Sequence, residues 1–464
     1  MARSDDLPDH PLEGEARLPR VMRLRDVVFF NITAIVGLRW LTTAAQFGPA
    51  SLGLWLLALV IFFLPSAAAV RELTDIDPRA GGLYRWVTRA FGPRHGFIAG
   101  WAYWVTNLLY FPSLLVATAA IAAYAGGAGA VHLQDETWFV GLVSLVSLWL
   151  AVGMNVVGLR VGKWLPNAGA YGTWGPAAIF IALACWSLVA HGSATSFAPR
   201  HLVPEHLDFA LVNFFATMTF AFSGLELAPT LGAEIRDPVA TLRRGVVVSG
   251  LSVVVMYVLG TAATLVALPA KDVSITNGMP QATAALVARL GVPSLGPTAA
   301  LVAILLVIGN VGGVGAWLAG TARLPFAAGM DALVPKAFAR VHPTWQTPWI
   351  ALLVQGGLAT VFVVAGLVGA SVRDAYVTLT SATIVLSFVP YLYVFASYLK
   401  LHRRPSWLTV TAGWLGLGAV VLSIVLSFVP PGVGSPVTFE LKVGGGVAIL
   451  LGIGVALAAR GGRA

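Results

Sequence analysis

Apolar residues in this chain run in blocks of about 20 or more, separated by short polar stretches, from residue 27 to residue 459. An α-helix needs about 20 mostly apolar residues to cross the hydrocarbon core of a bilayer. That criterion places helices 1–6 at 27–47, 51–70, 96–124, 137–157, 168–190 and 208–230. Helices 7–12 follow at 243–268, 296–318, 348–369, 373–399, 406–429 and 438–459. A turn near Gly48-Pro49 divides the first two. The longest stretches between spans, 71–95, 191–207, 231–242, 269–295 and 319–347, leave no room for a folded soluble domain. The pattern predicts an all-α polytopic membrane protein with about 12 transmembrane helices.

Composition agrees. Of 464 residues, 58% are hydrophobic and 11% charged, against about 25% charged in a soluble domain. The net charge of +9 changes meaning once it is mapped onto the loops. Of the 29 Lys and Arg, 23 fall in one set of alternate loops and tails, five in the other, and Arg39 sits inside a span. A bias of that size is a topology signal rather than a nucleic-acid surface. It predicts a multi-pass protein of the plasma or inner membrane with both termini cytoplasmic. Cys185 is the single cysteine, which excludes an internal disulfide or a thiolate cluster. His201 and His206 read as solvated loop residues. No metal or other cofactor is expected, and the polar residues 1–25 lead into the first span without a cleavage signal.

Two spans are interrupted in matching fashion. Helix 1 reads Asn31-Ile32-Thr33-Ala34-Ile35-Val36-Gly37-Leu38-Arg39-Trp40, and helix 6 reads Thr219-Phe220-Ala221-Phe222-Ser223-Gly224-Leu225-Glu226. Each has a mid-span glycine followed two residues later by an ionisable side chain. Helices 1 and 6 are equivalent if helices 1–5 and 6–10 form an inverted repeat, and transporters built that way bind substrate where interrupted helices expose backbone N–H and C=O groups. Arg39 and Glu226 each cost roughly 2.5–3.5 kcal/mol at mid-membrane depth on insertion scales. Either they pair with each other, or each faces part of a zwitterionic substrate. The structural alternatives are a buried ion pair and snorkelling of Arg39 to the membrane surface.

Motifs spread along the chain carry a resemblance. After helix 2 come Pro78-Arg79-Ala80-Gly81-Gly82-Leu83-Tyr84-Arg85-Trp86, Ala90-Phe91-Gly92-Pro93 and Gly96-Phe97-Ile98-Ala99-Gly100-Trp101-Ala102-Tyr103-Trp104. Helix 6 has Phe222-Ser223-Gly224-Leu225-Glu226, then Glu234-Ile235-Arg236-Asp237-Pro238. Gly320-Thr321-Ala322-Arg323, Met330-Asp331-Ala332-Leu333-Val334-Pro335 and Thr347-Pro348 follow. In this order they resemble the amino acid–polyamine–organocation superfamily of transporters. The resemblance implies a five-plus-five inverted repeat of the leucine-transporter type with two extra C-terminal helices. It divides the chain into a tail at 1–26, repeats at 27–190 and 191–399, and a final pair of helices at 400–464. It also implies alternating access, and a central amino-acid site between helices 1, 3, 6, 8 and 10.

The candidate substrate-binding residues are Ile35, Val36, Gly37, Leu38 and Arg39 on helix 1, Asn107 and Tyr110 on helix 3, and Phe220, Phe222, Ser223, Gly224 and Glu226 on helix 6. Glu226 is also the candidate for coupling to protons. For Asn107 and Tyr110 the rival role is polar packing between helices, and for Phe220 and Phe222 it is core packing. Where relatives often carry a Gly-Ser-Gly-like break, Leu38 and Arg39 stand here, so a guanidinium lies near the carboxylate position. Helix 8 has no Ser or Thr in Ile308–Gly315, which argues against a sodium site built of oxygen ligands, and Ala170–Trp174 of helix 5 lacks the lysine that some members of the superfamily this chain resembles carry there in place of the ion. The expected partners are a small amino compound and the lipid bilayer. A polyamine or organic-cation substrate is the alternative, and a non-transporting nutrient receptor a lesser one. The spans hold no nucleophile–base pair or phosphate loop that would suggest an enzyme.

Overall fold

The computed structural model describes residues 20–79, 81–158, 164–204, 209–324, 336–368, 371–402, 406–429 and 436–461. The motif at 330–335, Arg160, Lys163 and His206 lie outside the described residues. Among those described there is no β-strand, only a single bridge between Met22 and Ile235.

Among the described residues, ten helices are long and apolar enough to cross a membrane. Helices 2–5 are Ala50–Ile76, Pro93–Gly126, Thr137–Val156 and Trp164–His191. Helices 7–12 are Pro238–Ala267, Pro293–Thr321, Trp349–Leu367, Asp374–Leu401, Trp407–Leu426 and Phe439–Ala459. Helix 1 is a broken span, Leu24–Ile35 and Arg39–Ala45, bent by 41°. The predicted span 208–230 is not one helix. Helix 6 runs over Phe209–Ala221, only 13 residues, and resumes as a 3-10 turn at Ala228–Glu234. Among the described residues ten such spans stand, or eleven with the broken helix 1 counted as one, where about 12 are predicted; helix 6 is described from Phe209 and leaves helical geometry after Ala221. The turn between helices 1 and 2 occupies 46–49, where Gly48-Pro49 places it. In the loop before helix 3, a short helix at Leu83–Phe91 buries Leu83, Trp86, Val87 and Ala90, at the i, i+3, i+4 and i+7 spacing of one helical face.

Helices 3 and 10 are the most buried spans and helices 11 and 12 the least. Exposed side chains such as Val146, Leu251, Trp414 and Leu441 give the outer faces the apolar surface that lipid requires. Helices 5 and 8 lie along each other with almost nothing between their backbones. A Cβ added to Gly309 would sit 2.7 Å from the carbonyl oxygen of Gly172, and one on Gly312 would sit 2.9 Å from that of Leu165. Lipid-embedded helices gain little from hydrophobic exclusion, so close approach over small residues is how they bind one another. Substituting alanine for Gly309 or Gly312 is expected to destabilise the protein by about 1–3 kcal/mol through overpacking. In thermal unfolding of the detergent-purified protein this appears as a lowered transition. G418A on helix 11, where a Cβ meets nothing within 4 Å, serves as the unaffected control.

Candidate functional site

A helix broken inside a bilayer leaves backbone N–H and C=O groups that lipid cannot satisfy. In this protein one tyrosine on helix 7 serves both breaks. The hydroxyl of Tyr257 lies 2.9 Å from the carbonyl oxygen of Ile35 and 2.7 Å from that of Ala221. It also accepts from the Gly37 N–H at 3.3 Å. The hydroxyl has a single proton to donate, so the two carbonyls, one ending each half-helix, share it. Trp317 of helix 8 satisfies the preceding carbonyl, donating from Nε1 to Ala34 at 2.9 Å. The breaks also touch each other. Gly224 has φ of +121°, a conformation L side chains rarely adopt, and a Cβ there would lie 3.0 Å from Cγ1 of Ile35. Along 35–39, Gly37 alone is part-exposed, whereas Ile35, Val36, Leu38 and Arg39 are buried.

Glu226 is fully enclosed, at 1% exposure. Tyr103 of helix 3 donates to Oε1 at 2.8 Å, Tyr391 of helix 10 donates to Oε2, and the Gly224 N–H reaches Oε2 at 3.1 Å and the Tyr391 hydroxyl at 2.9 Å. All three neighbours donate, which complements an acceptor-only carboxylate. Among the described residues no ion pair joins Glu226 to Arg39. The direct pairing weighed from sequence is not made, because two tyrosines and a backbone amide already occupy the carboxylate.

Arg39 sits among aromatic faces. Its guanidinium carbon is 4.2 Å from the ring centre of Trp40, 5.5 Å from that of Tyr110 and 5.9 Å from that of Tyr376 on helix 10. It is 6% exposed, so it does not snorkel. The cluster continues with Phe220 in T-shaped contact with Trp40 and Tyr110, and Trp317 tilted against Tyr110. Helices 1, 3, 6, 8 and 10 all contribute. Phe222 stands elsewhere, packed on Trp55, Phe63 and Tyr257. Asn107 donates to the Tyr103 carbonyl of its own helix at 3.1 Å, leaving its Oδ1 buried without a partner. Ser223 is buried at the break, its N–H donating to the Phe220 carbonyl at 2.8 Å.

The two ends of the bundle differ. At the end with the arginine-rich loops, Arg323 forms a buried ion pair with Glu234, its Nη2 2.9 Å from Oε1. Met22 and Arg236 donate backbone N–H groups to Glu234 and Met22 at 3.0 and 2.9 Å. Asp77 accepts from Arg79 at 2.8 Å and Arg85 at 3.1 Å. Burial alone would raise the Asp77 carboxyl, but the Arg79 hydrogen bonds and the nearby Arg85 charge outweigh it and hold the group below the usual carboxylate range. At the opposite end a polar cavity of about 590 Å³ opens among Gln46, Gln134, Asp135, Lys271, Asn277 and Gln281.

The family described as amino acid permease matches residues 23–453. The chain belongs to that family. An uncharacterized transporter of Legionella pneumophila is 26% identical over 426 residues, 89% of this permease and 90% of that protein. A probable agmatine/putrescine antiporter of Lactococcus lactis is 26% identical, covering 77% of this chain and 75% of its own. A glutamate/gamma-aminobutyrate antiporter of the same species is 24% identical, covering 81% and 77%. Among solved structures, MhsT in complex with L-phenylalanine superposes with a TM-score of 0.62 at 14% identity, covering 86% of this chain and 97% of MhsT. The permease therefore has the leucine-transporter-type fold and is a multi-pass membrane transporter for a small molecule.

Sequence reasoning overlooked Tyr257, Tyr376 and Tyr391. The available signal was a tyrosine inside an apolar span, whose hydroxyl needs a partner when buried. Y257F, which removes the hydroxyl shared by three backbone groups, is expected to destabilise the permease by about 1–3 kcal/mol, read as a lowered thermal transition. The Asp77 cluster predicts a pH dependence. A carboxyl whose folded pKa is depressed stabilises fully above the ordinary aspartate range, about pH 4, and loses that contribution as pH falls through its own lower value. Thermal unfolding scanned over acidic pH is expected to show this loss in the native permease and a reduced one in D77N.

Proposed function

We propose that this permease exchanges amino acids across the membrane by alternating access, holding its substrate where helices 1 and 6 are broken. The observation that carries the reading is the pair of adjoining breaks, both tied to the Tyr257 hydroxyl and bordered by the aromatic cluster around Arg39. Interrupted helices at a repeat interface are the substrate platform of this architecture. With the arginine-rich loops on the cytoplasmic side, the ion pairs of Arg323 and Asp77 seal the inside, and the cavity near Gln46 and Lys271 opens outward. The two Lactococcus lactis relatives are both named as antiporters, which supports exchange. Glu226 favours it as well, since a carboxylate already gripped by three donors is poorly placed to load and release a proton during the cycle. A polyamine substrate finds less support. Glu226 is the acidic residue among the two breaks, and its oxygens are already taken.

Radiolabelled uptake into proteoliposomes tests this across neutral, acidic and basic amino acids and polyamines. Uptake of an amino acid is expected to rise several-fold when the vesicles are preloaded with unlabelled substrate, and to ignore an inward proton gradient. Uptake into empty vesicles that follows the proton gradient sinks the exchange reading in favour of proton symport.

A further inference from the structure

Two arginines are buried among the described residues, Arg39 and Arg323. Arg323 has Glu234. Arg39 has no acidic partner among the described residues, and its Nε and Nη1 are buried without a hydrogen-bond acceptor. The buried acids are all engaged elsewhere. Asp26 accepts from the Arg23 N–H and from Asn167, Asp77 from Arg79 and Arg85, Glu226 from Tyr103 and Tyr391, and Glu234 from Arg323. A buried charge left uncompensated is strongly destabilising. The faces of Trp40, Tyr110 and Tyr376 offset part of that cost but supply no acceptor in the plane of the guanidinium.

We infer that Arg39 is an anion receptor and that the permease selects amino acids carrying a second carboxylate, which bind with a carboxylate against the Arg39 guanidinium. The inference rests on the proposal that the two breaks hold the substrate, and it adds the substrate class. Charge balance decides among the candidates. A polyamine would bring further positive charge against Arg39, with the one nearby carboxylate closed off. A neutral zwitterion brings as much positive charge as negative and leaves the surplus of Arg39 in place. An amino dicarboxylate, with net charge of minus one, cancels that surplus and supplies charge-assisted hydrogen bonds to the unpartnered nitrogens.

The test compares each acid with its own amide. Binding of glutamate, glutamine, aspartate, asparagine, leucine and putrescine to the purified permease is measured by ligand-induced thermal stabilisation, and uptake is followed in proteoliposomes. The acids are expected to bind at least about tenfold more tightly than their amides, because a charged acceptor bonds a guanidinium far more strongly than a neutral one. R39A is expected to weaken binding of the acid by about 30-fold or more and to remove the preference over the amide, while R39K recovers part of it. The comparison within the native protein needs no variant and stands even where R39A does not fold. Equal affinity for acid and amide, tighter binding of putrescine, or an R39A protein that still prefers the acid overturns the inference. Uptake of a neutral amino acid with no response to acids overturns it while leaving amino-acid exchange standing. Arg39-dependent binding of the acid without uptake upholds the receptor and removes the transport reading.

Discussion

No backbone polar group can be left bare inside a bilayer, and the arrangement of this permease follows from meeting that condition at two places where the helix stops. The Tyr257 hydroxyl sits between the carbonyls of Ile35 and Ala221 and accepts the Gly37 N–H. Helix 7 is thereby fixed against the broken portions of helices 1 and 6, and Trp317 holds helix 8 to the same place through Ala34. The positions of Arg39, Phe220 and Glu226 descend from these bonds, since each lies within a few residues of a stapled carbonyl.

Glu226 and Arg39 show how similar sequence contexts acquire different surroundings. Each follows a glycine by two residues, yet one ends among hydroxyl and amide donors and the other among ring faces. The aromatic residues decide the outcome. Tyr103 and Tyr391 turn their hydroxyls to the carboxylate, while Tyr110, Tyr376 and Trp40 turn their faces to the guanidinium. Separating the charges in this way leaves the acid internally satisfied and the base without an acidic partner among the described residues.

The spans, the turn at Gly48-Pro49 and the break in helix 1 were legible in the sequence because each rests on a local property: a run of apolar residues, a glycine, a proline. The interruption in helix 6 was legible as a glycine, but not its extent. The conformation of Gly224 and the short 3-10 segment after it depend on Tyr391 and Ile35, which lie far away in the chain. Phe222 and Asn107 illustrate the same limit. A side chain at a break or on a central helix has several faces to choose from, and only the assembled neighbours settle which one it takes. Tyr257 was legible only as a buried hydroxyl in need of a partner, since nothing adjacent to it in sequence distinguishes a staple from a packed ring.

The seam between helices 5 and 8 carries a consequence of its own. Where Gly169, Gly172, Gly309 and Gly312 bring the two helices together, most of the nearest atoms are main chain, joined by the short side chains of Thr33 and Thr173, so few rotamers can give way. Such a contact behaves as a rigid bearing: it stays seated or it parts, without intermediate settings. The two helices it joins form one beam, and Thr33 of helix 1, which bonds the Pro166 carbonyl of that beam at 2.8 Å, is clamped to it just before the helix breaks. Helix 1 is thereby pinned just before its break, at the edge of the aromatic cluster around Arg39.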